Sequence, residues 1–479
     1  MPHIAINRDE LRNKIYGCWM GKNIGGTLGG PFEGRREVLD VKGYVTPKGE
    51  PMPNDDLDLQ LVWLKAIEER GPKGVNNRVL GEYWINYIPP PWNEYGICKS
   101  NMKAGIVPPI SGEYHNPWKH SNGAWIRSEI WACLAPGCPD IAIRYAYEDA
   151  SVDHGGGEGT NAALFTAAVE SAAFVISDRD ELIKIGLSKI PADCRVARAI
   201  KVVLDAHKAG KSWQEAREAV VKDSEDLGWF QAPANVAFVI IGWMYGEGDF
   251  GKSIIIATNC GDDTDCTAAT LGATLGIILG KDAIPKEWTE PIGDSIKTVA
   301  IDRGSSWFPP TLAELTDHVM RQVPLMLGAY NADVDITSGA TDLSAVSAKA
   351  LADQAAAKQI WDRSPFAVTY DFIHTRVTVD YGREPDIVIG EPFTMKVILE
   401  NQMPDSRHIE LRWHLPEGWD ITSDTPGHIA LHHWPGRVEV AVEITPDVIV
   451  EGTTRAILEV LAPGRPTVGL VPLAFFEGG

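Results

Sequence analysis

Two short acidic clusters are the residues best placed to do chemistry. The first is Asn54-Asp55-Asp56, followed by Asp58, in PNDDLDLQLVWLKAIEER; the second is Asp262-Asp263-Thr264-Asp265, followed by Cys266, in NCGDDTDCTAATLGATLGIILG. Each opens a stretch with helical apolar spacing, so each crowds carboxylates into a first helical turn. A single acid there needs no more than the helix dipole, which it complements by about 0.3–1 kcal/mol. Several acids side by side repel one another unless a cation or a proton intervenes. The second cluster heads a helix with a small, apolar body, which places its carboxylates inside the fold, where each uncompensated charge costs several kcal/mol. A divalent cation shared by both clusters relieves that cost. Oxygen donors of this kind select Mg²⁺, Mn²⁺ or Ca²⁺ over zinc.

The elements that must position these clusters are helices. From residue 8 to about 330 apolar residues recur at three- and four-residue spacing, as in Leu57 to Arg70, Asn161 to Ile176, Val196 to Ala209 and Pro233 to Tyr245, and an all-α bundle is expected. Two helices carry glycine at every fourth position: Gly17, Gly21, Gly25 and Gly29 in one, and Gly272, Gly276 and Gly280 in the other. Glycine costs about 1 kcal/mol per helical position relative to alanine, so such stripes imply that another helix backbone lies against them, at the bundle centre. Residues 331–364 are rich in Ala, Ser and Asp and read as a helical linker, with one helix from Leu343 to Trp361. Beyond it, short alternating runs (Phe366 to Val379, Phe393 to Glu400, Ile409 to His414, Arg437 to Ile444, Arg455 to Leu461) predict a small immunoglobulin-like β-sandwich over 365–479. The expected organisation is therefore multi-domain: a helical domain over 1–330, the linker, and the sandwich.

Composition narrows the function classes. A net charge of −21 argues against nucleic acid as a partner, since such proteins gather Lys and Arg on one face. Seven cysteines without a CxxC pair fit neither a zinc ribbon nor a disulfide scaffold, and point to a reducing compartment. The first residues lack the pattern of a secretion signal, and no apolar run is long enough for a membrane helix, so a cytoplasmic protein without a membrane partner is expected. Between Trp84 and Trp131 lie eight irregularly spaced aromatics: Trp84, Tyr87, Trp92, Tyr95, Tyr114, Trp118, Trp125 and Trp131. They suit either platforms for a sugar ring or adenine, or packing of a loop onto the bundle. Asp153 and Glu158 flank a run of three glycines and read either as substrate contacts or as a solvated loop.

Five segments in order, GCWMGKNIGGTLGGPFEG, the NDD that opens a helix, SNGAWIRSEIWACLAPG, His154 before a small-residue helix, and GDDTDCTAATLGATLGIILG, resemble the ADP-ribosylglycohydrolases. The resemblance spans roughly residues 11–330. It implies an all-helical catalytic domain holding two Mg²⁺ ions between a Thr-Asp-Asp triplet and a later Asp-x-Asp-Thr. On this chain those positions are Asn54, Asp55 and Asp56, then Asp263, Asp265 and Cys266. Glu33 matches an acid beside the substrate ribose, His154 a histidine that contacts substrate, and Ser121, Asn122, Gly123 and Ala124 a loop lining the ribose or phosphate pocket. Asp153 and Trp125 join them as expected substrate contacts, and Glu33, Asp56 and Asp263 are the expected catalytic groups.

Two positions depart from the family pattern. Asn54 stands in place of a hydroxyl residue, and its amide oxygen remains a hard donor. Cys266 replaces a Thr, and a thiol is a poor ligand for Mg²⁺, so one or two ions are expected, with Asp58 as a substitute charge. The implied activity is metal-dependent hydrolysis of a ribosyl-type glycosidic bond, in an ADP-ribosylated substrate or a related small glycoside. The alternatives are a non-catalytic metal-containing protein that binds ADP-ribose or sugar, and a structural cation site.

Overall fold

A computed structural model of the chain describes residues 3–301, 308–421, 426–449 and 452–478. It divides into two compact units, one of residues 3–96 and 117–362, the other of 97–116 and 363–478.

The first unit is built on the two glycine-striped helices, Arg8–Gly29 and Thr264–Leu279. A Cβ on Gly21 would overlap the carbonyl oxygen of Gly272, one on Gly17 that of Gly276, one on Gly25 that of Ala268, and one on Gly29 that of Thr264. As one helix advances by four residues the other recedes by four, so the pair is antiparallel with backbones in direct contact, as the stripes require. Gly280 is not part of the stripe: it ends its helix at φ +74. The expected helices appear at Asp55–Arg70, Glu158–Ala173, Arg195–Lys208 and Ala232–Tyr245. Glu158–Ala173 and Ala232–Tyr245 pack on Thr264–Leu279, Asp55–Arg70 packs on Arg8–Gly29, and Arg195–Lys208 packs on Ala232–Tyr245. Among the described residues no helix is long and apolar enough to cross a membrane.

The stretch read as a linker is tied into this unit. Val334–Thr337 forms a parallel pair with Ile4–Asn7, and Ala5 exchanges two backbone hydrogen bonds with Asp342. In place of one helix from Leu343 to Trp361 there are two short ones, Ala348–Leu351 and Ala355–Trp361. Trp361 Nε1 donates to the carbonyl of Lys189 at 3.0 Å, which fastens the second of them.

The second unit is β-rich, with two five-stranded sheets. One has the order Ala367–Phe372, Thr375–Asp380, Phe393–Asn401, Arg437–Thr445, Asp420–Ile421; the other Asp386–Ile387, Val468–Glu477, Thr453–Leu461, Arg407–His414, His428–Leu431. The run expected as Phe366 to Val379 is a hairpin, because the chain reverses at Ile373. Both sheets send alternate side chains into one core, including Val377, Val397 and Val442 from the first and Leu411, Leu458 and Val471 from the second. Residues 97–116 belong here too: Ile106, Ile110 and Tyr114 are part of that core, and Tyr114 donates its hydroxyl to Asp386 at 2.7 Å. A boundary at residue 330 does not anticipate this, because the segment lies in sequence within the helical unit.

Candidate active site

Within the helical unit a cavity of about 410 Å³ opens where the two acidic clusters meet. Asn54, Asp55, Asp263, Asp265, Cys266 and Glu33 all line it, together with Ser121, Asn122 and Gly123. Asn54 caps the helix Asp55–Arg70, its Oδ1 accepting from the amide of Asp56 at 2.8 Å. That cap sets the first turn so that Asp55 faces the cavity while Asp56 is fully buried behind it. The hydroxyl of Tyr95 donates to Asp55 Oδ2 at 3.0 Å. Asp58 points elsewhere: its Oδ2 accepts from the amides of Val299 and Ala300 at 2.6 and 2.7 Å, so it does not serve as the substitute charge.

The second cluster divides in the same way. Asp262, at φ +69, accepts from the amide of Phe230 and from Asn235 Nδ2, and so fixes the turn. That turn delivers Asp263 and Asp265 to the cavity. Asp263 Oδ2 accepts from Asn122 Nδ2 at 2.7 Å, whereas the Oδ1 atoms of Asp263 and Asp265 are buried and receive no hydrogen bond. Oxygens of Glu33, Asp263 and Asp265 lie within 4.8 Å of one another, as do donor atoms of Asp56, Asp265 and Cys266.

Charge crowding is visible in the proton affinities. Burial first, and then Asp56, push Asp55 up to about 6; burial, opposed by Lys22 and reinforced by Glu129, pushes Asp56 up to about 6. Asp263 is raised well above the usual carboxylate range by burial and then by Glu33, and Asp265 by burial and then by Asp263, Asp56 and Glu33. Glu33 keeps much of its surface in solvent, yet partial desolvation and the neighbouring Asp55 raise it as well. A hard divalent cation fits this donor set: two orphaned buried carboxylate oxygens face a third carboxylate across a distance one ion can bridge.

Sequence reasoning did not foresee Lys22. Only 1 % exposed, its Nζ lies 2.6 Å from Glu129 Oε1, 3.1 Å from Asp56 Oδ2, 2.5 Å from the carbonyl of Ile126 and 3.2 Å from Thr270 Oγ1. Burial would lower its proton affinity, but Asp56 and Glu129 outweigh that and hold it protonated. A lysine set between the glycines of the stripe, one residue after Gly21, is the available signal. Glu94, which also lines the cavity, carries none, because it sits in no acidic cluster, whereas Tyr95 belongs to the aromatic set read as platforms or packing.

Three expected substrate contacts stand behind the cavity wall instead of in it. His154 is fully buried, with Nδ1 2.8 Å from Asp153 Oδ1 and Nε2 3.1 Å from Ser121 Oγ. Asp153 in turn pairs with the buried guanidinium of Arg127 at 2.8 Å. Both ring nitrogens of the histidine are therefore engaged in holding the loop. Trp125, also fully buried, donates from Nε1 to Asn122 Oδ1 at 3.0 Å, which aims the Asn122 amide at Asp263. Glu158 accepts from the amides of Arg195 and Val196 and caps that helix, so it is neither a substrate contact nor solvated. Of the aromatics, Trp92 and Tyr95 line the cavity, Trp84 and Trp131 are core, and Tyr114 lies in the β-rich unit. Replacing Asn122 with Ala removes the donor that orients Asp263. Cation affinity is expected to fall roughly 10–100-fold while the fold is retained, as read by calorimetric titration and circular dichroism; unchanged affinity would count against the Trp125–Asn122–Asp263 chain.

The sequence matches the family model described as ADP-ribosylglycohydrolase over residues 7–322. Among solved structures the chain is similar to an ADP-ribosylglycohydrolase-related protein complex, at 18 % identity and TM-score 0.46, over 66 % of this chain and 99 % of that one. A second, weaker likeness is to a FixG-related protein from Vibrio parahaemolyticus, at 12 % identity and TM-score 0.18, over 22 % of this chain and 96 % of that one. No curated protein matches it. With the family match covering well over half of its residues and taking in both acidic clusters of the cavity, the chain belongs to the ADP-ribosylglycohydrolase family.

Proposed function

We propose that the chain is a metal-dependent glycohydrolase that cleaves a ribosyl-type glycosidic bond, in an ADP-ribosylated substrate or a related small glycoside. The observation that carries this reading is the pair of buried, unbonded Oδ1 atoms of Asp263 and Asp265 in the wall of the cavity. Glu33, Asp263 and Asp265, with Asp55 beside them, would hold the cation, Mg²⁺ being the first choice of such oxygens and Mn²⁺ or Ca²⁺ the others. When bound, the ion polarises substrate hydroxyls and lowers the pKa of water.

The residues of the chain supply the rest. Glu33, on the solvent side of the cavity, is placed to take a proton from an attacking water with a carboxylate oxygen that the cation does not engage. Asn122 fixes the orientation of Asp263. Trp92 and Tyr95 offer adjacent ring faces, 6.2 Å between centroids and tilted by 32°, against which a sugar or base can stack. Glu94, buried and with Oε2 free of hydrogen bonds, can accept from a substrate hydroxyl. The β-rich unit reads as an immunoglobulin-like sandwich and the protein as cytoplasmic, in keeping with seven free, buried cysteines.

Release of ribose or ADP-ribose from a panel of ADP-ribosyl and simple ribosyl substrates, with Mg²⁺ and then with EDTA, tests the reading; turnover that survives chelation would refute the metal dependence. A pH effect accompanies it. Because Asp55, Asp263, Asp265 and Glu33 bind protons more tightly folded than unfolded, the metal-free protein loses stability as pH rises above the ordinary carboxylate range of about 4, Asp55 contributing this loss up to about 6. A cation that takes the place of those protons cancels the loss. The difference in melting temperature between Mg²⁺ and EDTA is therefore expected to widen with pH over that window, and a difference that stays constant would argue against a cation on these oxygens.

A further inference from the structure

We propose that this chain holds one divalent cation, not two, because the ammonium of Lys22 occupies the charge position that a second ion would fill. The inference rests on the metal-dependent reading above and concerns how many ions that site takes.

The seven candidate donors fall into two groups of different character. On the inner side Asn54, Asp56 and Cys266 are already committed to the protein. Asn54 Oδ1 accepts from the Asp56 amide, Cys266 Sγ donates to Asp56 Oδ1 at 3.3 Å, and Asp56 Oδ2 lies 3.1 Å from Lys22 Nζ. The lysine is itself enclosed by acceptors: Glu129 Oε1, the carbonyl of Ile126 and Thr270 Oγ1. Gln60 completes the arrangement, donating to Glu129 Oε2 at 2.9 Å and to the carbonyl of Asp56 at 2.8 Å while accepting from the amide of Ile130 at 2.7 Å. On the outer side Asp55, Glu33, Asp263 and Asp265 line the cavity; Asp263 and Asp265 keep buried Oδ1 atoms without a hydrogen bond, whereas the likewise unbonded Oδ2 of Asp56 has the Lys22 ammonium beside it.

The partition follows from electrostatics. Asp56 is fully buried and must be compensated. A fixed cation 3.1 Å away, shared with Glu129, offsets part of that charge, and it is 1 % exposed and packed in the central helix. A divalent ion bound at Asp56 would sit beside this unmoving positive charge in a poorly screened interior, where like charges a few ångströms apart repel strongly. Among the described residues no such charge stands next to the outer carboxylates, whose raised proton affinities reflect burial and the neighbouring carboxylates. The rival cause of a single ion is the thiol of Cys266, a poor donor for hard cations.

Counting ions separates these causes. Full-length protein saturated with Mn²⁺ and freed of excess is expected to retain one Mn per chain by elemental analysis, with an uncoupled electron spin resonance spectrum. The variant Cys266→Thr is expected to retain one as well. Two ions in the native protein would overturn the proposal and leave the metal-dependent reading intact; two only in Cys266→Thr would overturn it by assigning the deficit to the thiol. No ion in either would refute the proposal together with the metal-dependent reading. The double variant Lys22→Met/Glu129→Gln, which frees Asp56 without leaving Glu129 ionised, is expected to take up a second, spin-coupled Mn, and a count of one in the folded double variant would overturn the role given to Lys22. The native and Cys266→Thr counts decide the matter whether or not the double variant folds.

Discussion

Asp265→Asn is expected to lower turnover by roughly a thousandfold, about 4 kcal/mol of lost transition-state stabilisation, while the metal-free protein becomes more heat-stable than its parent. The two effects share one cause. Asp265 is buried among Asp263, Asp56 and Glu33, and its Oδ1 has no hydrogen-bond donor in the protein. In the absence of a cation the charge only repels its neighbours, so an amide of the same shape relieves strain. In the presence of a cation the missing charge weakens the grip on the ion. Kinetics with Mg²⁺ beside melting curves in EDTA read both. A variant that lost activity and metal-free stability in proportion would show that the residue holds the fold together, and the cation site would then be structural.

The second large effect lies far from the chemistry. Gly21→Val is expected to cost more than about 4 kcal/mol and to leave little folded protein, because a Cβ at that position would overlap the Gly272 carbonyl of the facing helix. No rotamer change relieves a clash with backbone; the helices must part, and the acids at their ends part with them. Gly328 provides the contrast. It also lies within a helix, Leu312–Ala329, but nothing comes within 4 Å of a Cβ built there. Gly328→Ala is expected to stabilise the chain by about 0.5–1 kcal/mol through helix propensity alone. Chemical denaturation of the two variants against the parent gives opposite signs; a parent-like Gly21→Val would mean that the central helices are not in backbone contact.

These two residues show how the fold serves the site. The carboxylates of Asp263 and Asp265 enter at the N-terminal end of one striped helix, and Gly29, at the C-terminal end of the other, lies against Thr264, whose hydroxyl donates to the Gly29 carbonyl at 2.8 Å. Close approach of the helices thus brings Glu33, four residues past Gly29, to the second acidic cluster. Lys22 sits on the same striped helix and reaches Asp56 from behind. One helix and the turn that follows it therefore supply an acid to the front of the cavity and a cation to its rear.

Patterns local in sequence were decided by the sequence itself. The four-residue glycine repeat required a backbone partner because no other arrangement offsets its propensity cost, and the acids at two helix starts required compensation because they are crowded wherever the helices lie. The alternation after residue 365 likewise required strands. What the tertiary structure alone decided is which side of each residue faces what. Helical phase and the Asn54 cap turn Asp55 toward the cavity, Asp56 toward Lys22 and Asp58 toward the amides of Val299 and Ala300, although all three are aspartates within four positions. His154, Asp153 and Trp125 have side chains suited to touch a substrate, yet each spends its polar atoms on the protein: His154 on Ser121 and Asp153 on Arg127, both distant in sequence, and Trp125 on nearby Asn122. Residues 97–116 joined the β-rich core for the same reason, since Ile106, Ile110 and Tyr114 carry no local sign of the apolar surface that will cover them. Spacing along a chain specifies a helix face and its charge; the neighbour that meets that face is set by packing between segments far apart in sequence.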